Sequence, residues 1–232
     1  MPTIREMALM ANAVYDDQPA VTGWTTQNRQ AASGLMDGFQ AATFTKDGVT
    51  VVAFRGTAQT MDAVADLKLG AGMNSTYFAA GENYMAQYQH LSNVYTCGHS
   101  LGGAITQVVA NRRGYKFITY NAPGVAVLAS SNIGELAVGL VTGGNAIRTI
   151  GMFASAVRHP MQAARDVGAA FTTVHGLNLC LNADVVSRIG VHYGEVKRIP
   201  GTSLDPLTEH KMTTVIEALK SNPIGDRDVA SF

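Results

Sequence analysis

The stretch Val94-Tyr95-Thr96-Cys97-Gly98-His99-Ser100-Leu101-Gly102-Gly103-Ala104-Ile105 changes its periodicity in the middle. Its first four residues are a short apolar run bounded by glycine, which reads as a buried strand. From Leu101 onward the apolar residues Ala104, Ile105, Val108 and Val109 fall at helical spacing, and Arg112, Arg113 and Gly114 make a favourable helix end. Between strand and helix lies Gly-His-Ser-Leu-Gly. Glycines two residues either side of a serine let a strand turn abruptly into a helix, which lifts Ser100 above the sheet edge and turns the Leu101 amide toward it. A serine hydroxyl is a weak nucleophile at neutral pH and needs that exposure, an adjacent base, and donors for the oxyanion formed on attack. The bare five-residue pattern arises by chance in roughly one chain in ten of this glycine content, so the flanking strand and helix carry its weight.

Outward from this turn, the chain alternates strands and helices. Ile4, Ala8, Ala11 and Val14 repeat at helical spacing, and the polar stretch to Gly38 reads as loop. Phe39, Ala41 and Thr43 alternate, Lys46-Asp47-Gly48 is a turn signal, and Val49 to Phe54 is an interior strand, so a hairpin is expected. Asn74 or Ser75 is placed to cap a helix turning Tyr84, Met85, Tyr88 and Leu91 to the core. Strands follow at Lys116 to Tyr120, Leu177 to Leu181 and Glu195 to Ile199, and Met212, Val215, Ile216 and Leu219 mark a closing amphipathic helix. Helices between strands imply one α/β domain over residues 1–232 with a mostly parallel central sheet.

Three runs in this order, Val51-Val52-Ala53-Phe54-Arg55-Gly56-Thr57, then Gly98-His99-Ser100-Leu101-Gly102-Gly103-Ala104, then Asn121-Ala122-Pro123-Gly124, resemble the class 3 (fungal-type) lipase family of the α/β-hydrolase superfamily. The resemblance spans roughly Ala8 to Gly124 and continues only through short matches beyond. It implies an α/β-hydrolase fold and hydrolysis of ester lipids. In that family the residue after Phe-Arg-Gly gives the second oxyanion donor, which matches Thr57 here and makes Thr57 and Leu101 the expected oxyanion pair. Asp66 matches the residue that steadies this donor, whereas Asp62 reads as the wet face of a short helix. Where the family often has an aromatic residue in this lid-like helix, the chain has Ala63.

In α/β hydrolases the acid follows the nucleophile and the histidine comes last. Asp184 lies just after the strand Leu177 to Leu181, and Asn182-Ala183-Asp184-Val185-Val186 resembles the family's run around its catalytic aspartate, with Ser187 in place of a proline. Asp166 and Asp205 are the reserves. Of the six histidines, His192 and His210 follow Asp184; His210 adjoins the last helix, whose N-terminus disfavours an imidazolium and so suits a resting base. His99, His159 and His175 read as satisfied structural residues and His90 as a helix-surface residue.

Other chemistries find no support. Basic and acidic residues number 17 each, without a like-charged block to follow nucleic acid. No HExxH or Cys/His spacing suggests a metal, and Gly70-Ala71-Gly72 lacks the Lys-Ser/Thr of a phosphate loop, so no cofactor is expected. Cys97 and Cys180 read as buried small hydrophobes. The first 18 residues lack a signal-peptide pattern and Leu136 to Val157 is too interrupted to span a membrane, so a cytoplasmic location or export by a leaderless route is expected. The Ala- and Gly-rich segment between Gly124 and Val174 is expected to be a helical insertion or cap lining an acyl pocket, or else ordinary core helices.

The resulting expectation is a lipase or phospholipase acting through an acyl-enzyme on Ser100, with Asp184 and His210 completing the triad. A carboxylesterase acting on small soluble esters shares the mechanism. A leaderless antibacterial phospholipase effector is a further reading, since some bacterial members of the family work this way, and a non-enzymatic hydrolase-fold binding protein is the least supported. The partners expected are a lipid or ester substrate, transient contact with a membrane surface and, on the effector reading, an inhibitory or immunity protein.

Overall fold

Among the described residues, seven strands pair side by side in the order in which they occur along the chain. The computed structural model describes residues 1–31, 39–56, 73–125, 175–189 and 192–231. It opens with helix α1 (Ile4–Ala13) and continues through strands β1 (Thr25–Ala31), β2 (Gln40–Lys46) and β3 (Val49–Phe54). Next come helix α2 (Met73–Met85), strand β4 (Val94–His99), helix α3 (Leu101–Arg113) and strand β5 (Lys116–Tyr120). Strands β6 (Gly176–Leu181) and β7 (Glu195–Ile199) precede the short helix α4 (Pro206–His210) and helix α5 (Met212–Ser221). The first three strands are antiparallel, and β3 through β7 run parallel. Parallel strands bury both faces, so β3, β4 and β6 are buried at every residue.

Side-chain alternation along the strands sorts the core into two layers. Val51 and Ala53 of β3, Tyr95 and Cys97 of β4, and Leu177 and Leu179 of β6 join a cluster with Ile4, Met7 and Met10 of α1 and Val215 and Leu219 of α5. Val52 and Phe54, from the opposite face of β3, pack with Phe78 and Tyr84 of α2 and with Ile105, Val108 and Val109 of α3. The site-bearing strands are thus clamped between helices on both sides. Thr3 and Glu6 close a reciprocal capping box at the start of α1, which fixes where the first helix begins. Cys97 and Cys180 are buried and free. Among the described residues, no helix is long and apolar enough to cross a membrane.

Four expectations need correction. The polar stretch read as loop contains β1, an edge strand whose Thr-Thr-Gln-Asn-Arg-Gln sequence is exposed and therefore lacks an apolar alternation; backbone pairing to β2 holds it. Helix α2 begins at Met73, so Asn74 and Ser75 lie inside it and are not its caps. Leu91 lies beyond the helix and is exposed, and His90 sits in a turn. Thr57, Asp62, Asp66, Asp166, His159 and the segment from 126 to 174 lie outside the described residues.

Candidate active site

The turn from β4 into α3 forces Ser100 to φ 55° and ψ −127°, a left-handed conformation that non-glycine residues avoid. Close packing around it explains the neighbouring glycines. A Cβ on Gly98 would lie 2.3 Å from the carbonyl oxygen of Gly102, and one on Gly102 would lie 2.1 Å from that of Phe54. Ser100 N–H donates to the Tyr120 carbonyl at 3.1 Å, pinning the turn to β5. Leu101 opens α3, and an amide in the first turn of a helix has no acceptor within that helix.

Asp184, in the loop after β6, and His210, at the end of helix α4, line up behind this serine. His210 Nε2 lies 2.9 Å from Ser100 Oγ, and His210 Nδ1 lies 2.7 Å from Asp184 Oδ1. A carboxylate only accepts, so Nδ1 carries the ring proton and Nε2 accepts from the serine hydroxyl. All three residues are buried. Burial pushes the Asp184 carboxyl upward, but the His210 hydrogen bond and charge, together with donors from Ser187, outweigh it and hold the group below its ordinary value. The second carboxylate oxygen accepts the Ser187 amide at 2.8 Å. Arg198 of β7 in turn grips Ser187, donating to its carbonyl at 3.0 Å and its hydroxyl at 3.3 Å.

The backbone of the histidine is held as firmly as its ring. His210 ends α4, a helix capped by Asp205 through Thr208 N–H and begun by Pro206, which accounts for Asp205 as a capping residue. Helix α5 starts two residues later, so His210 lies at one helix's end and just before another's start. Asn121 bridges to this segment: its Nδ2 donates to the Glu209 carbonyl at 2.7 Å and its Oδ1 accepts the Leu181 amide at 2.8 Å. The buried Glu209 carboxylate accepts the amides of Thr202 and Ser203, tying down the loop ahead of α4. His192, the reserve base, does not approach Ser100; its Nε2 faces the Ala122 carbonyl at 2.9 Å and burial lowers its pKa.

His99 stands nearer the chemistry than its sequence reading implied. Its ring lies 4.8 Å from that of His210, centroid to centroid, and its Nε2 lies 2.6 Å from the His210 carbonyl oxygen. Its Nδ1 meets the Tyr15 hydroxyl at 3.0 Å. Tyr15, His99 and Asn121 were not singled out as site residues by sequence; His99 and Asn121 lay in quoted motifs, His99 being read as structural, and Tyr15 lay in none. Among the described residues, no three His, Cys, Asp or Glu side chains converge to hold a metal ion.

Comparison with known proteins agrees with this architecture. A family model described as phospholipase-like, the Tle-like phospholipase domain, matches residues 6–143. No curated protein sequence matches the chain. Among solved structures, the Lip2 lipase of Yarrowia lipolytica superposes with a TM-score of 0.50 at 14% identity, covering 89% of this chain and 81% of the lipase. The Rhizomucor miehei lipase gives 0.47 at 14% identity over 96% of this chain and 79% of its own, and a Penicillium expansum triacylglycerol lipase 0.45 at 14% over 86% and 79%. At such identity the likeness to the Yarrowia enzyme speaks for the α/β-hydrolase fold alone. The family model spans more than half of the sequence and covers the nucleophile turn; the chain belongs to the Tle-like phospholipase domain family, as a lipid ester hydrolase.

Proposed function

We propose that Ser100, His210 and Asp184 are the catalytic triad of this hydrolase and that it cleaves carboxylic esters of phospholipids or related lipids through an acyl-enzyme. The observation that carries this is the continuous relay from Asp184 through His210 to a serine held at positive φ, with spans of 2.7 and 2.9 Å. As Ser100 Oγ attacks the ester carbonyl, its proton passes to His210 Nε2, and the buried Asp184 carboxylate stabilises the resulting imidazolium. The oxyanion forms beside the first amide of α3, that of Leu101, with Thr57 as the second donor and Asp66 supporting it on the family pattern. His210 then gives its proton to the departing alcohol, and a water activated by the same ring releases the acid.

Contact with a lipid surface is supported by exposed apolar side chains. Leu204, in the loop ahead of α4, is 94% exposed, and Leu207 and Val185, beside His210 and Asp184 in sequence, are also exposed. Large exposed apolar side chains close in sequence to the proposed acid and base fit transient insertion among acyl chains. The test is a fluorophosphonate probe together with p-nitrophenyl esters and phospholipid vesicles, on the wild type, Ser100→Ala and His210→Ala. The wild type is expected to form the adduct and hydrolyse esters, and Ser100→Ala to do neither. Adduct formation or hydrolysis that survives in Ser100→Ala would refute the assignment.

A further inference from the structure

We propose that Tyr15 and His99 are positioning residues, which together form a hydrogen-bonded strut between the peptide at Gly56 and the backbone carbonyl of His210. The inference rests on the triad assignment above and extends it to two residues that touch no reacting atom.

The direction of every hydrogen bond in the strut follows from chemistry. The His210 carbonyl oxygen only accepts, so His99 Nε2 carries the proton and donates at 2.6 Å. His99 Nδ1 is then an acceptor, and the Tyr15 hydroxyl donates to it at 3.0 Å. The Tyr15 oxygen in turn accepts the Gly56 amide at 3.1 Å. The phenol and imidazole thus spend their polar atoms on one uninterrupted path, from the loop that follows β3 to the base. Gly56 must be glycine for this approach. A Cβ there would lie 2.6 Å from the His99 carbonyl oxygen, 2.7 Å from the Tyr15 hydroxyl and 3.2 Å from Ser100 Cβ. The strut therefore sets the spacing of three parts of the site at once: the loop leading to residue 57, the serine turn and the histidine.

The strut works in only one charge state. A proton on Nδ1 would make it a donor facing the Tyr15 hydroxyl, and would place a cation beside the ring that becomes an imidazolium during turnover. Burial, and next the neighbouring charge of His210, push the His99 pKa down to about 3, against a smaller opposing effect of the Asp184 carboxylate and of the hydrogen bond to the His210 carbonyl. Burial likewise raises the Tyr15 phenol, which keeps its donor proton. The tie is therefore unchanged around neutral pH. Second, the carbonyls of residues 209 and 210 are held from the ends of adjacent strands, by Asn121 and His99. Releasing one lets the imidazole pivot about the other, lengthening its reach to Ser100.

The experiment is steady-state hydrolysis of a soluble p-nitrophenyl ester by Tyr15→Phe, His99→Leu and His99→Gln, with active sites counted by end-point fluorophosphonate labelling and folding followed by thermal melting. Misplacement by a fraction of an ångström predicts that kcat per labelled site falls about tenfold in Tyr15→Phe and about a hundredfold in His99→Leu, with KM held within about twofold. His99→Gln should recover part of that loss, because its amide N–H can donate to the His210 carbonyl. Lowered melting temperatures with kcat per labelled site unchanged would overturn the strut and leave a structural role only. If the His99 variants fail to fold, Tyr15→Phe decides alone, since it removes one oxygen and leaves the ring in place. Activity that survives in Ser100→Ala would instead refute the triad assignment, an outcome separate from either result here.

Discussion

A serine at φ 55° and ψ −127° occupies backbone space open mainly to glycine, at a cost of about 1–3 kcal/mol. Ser100→Gly is therefore expected to exceed Ser100→Ala in stability by about 1 kcal/mol in urea unfolding, though both are inactive. Asp184→Asn should leave the fold intact but drop kcat about 10⁴-fold, because an amide no longer enforces the Nδ1–H form of His210 or stabilises its cation. Stability adds a second signature. The Asp184 pKa is depressed in the folded chain, so its contribution is present above the unfolded carboxyl value and is lost as pH falls through the folded one. Wild type and Asp184→Asn should converge in unfolding free energy on acidification below about pH 4 and diverge toward neutrality. At this scale, Ser100 is proposed from its local context and Asp184 and His210 from their order after expected strands, and the three side chains lie within hydrogen-bond reach of one another in the order Asp184, His210, Ser100. Tyr15 could not be placed in this way, since nothing near it in the chain reports a partner 84 residues away.

At the scale of elements, contact between β3 and the start of α3 leaves no room at Gly102, whose added Cβ would press on the backbone of Phe54 and Arg55. Gly102→Ala should lower unfolding free energy by about 3 kcal/mol and halt ester hydrolysis, because relief requires the helix to move off the strand. Gly114 is the control. It caps α3 at φ 71° with nothing within 4 Å of an added Cβ, so Gly114→Ala should cost only about 1 kcal/mol in the same urea titration and leave kcat unchanged. The same contrast explains which elements were legible. Strands β3 through β6 announce themselves because burial on both faces demands apolar runs, whereas β1 is held by backbone pairing at an exposed edge and its sequence had no need to show it.

For the whole molecule, 17 basic and 17 acidic residues leave no net charge to draw the enzyme onto an anionic bilayer. Turnover of phospholipid vesicles should accordingly change less than about twofold between about 50 and 500 mM salt. If the exposed Leu204 makes the contact, Leu204→Ser should reduce vesicle hydrolysis about tenfold and leave hydrolysis of a monomeric ester unaltered. Equal losses on both substrates would place Leu204 in the acyl site instead. Finally, strand order that repeats chain order lets each new strand add to an edge already formed as the polypeptide leaves the ribosome. Ser100, Asp184 and His210, which we propose as nucleophile, acid and base, emerge in that order, so the proposed base arrives last, on a five-residue helix after the last described strand. A growing chain thus lays down the described sheet before its proposed catalytic relay can close, and stays inert toward ester lipids through most of its own synthesis.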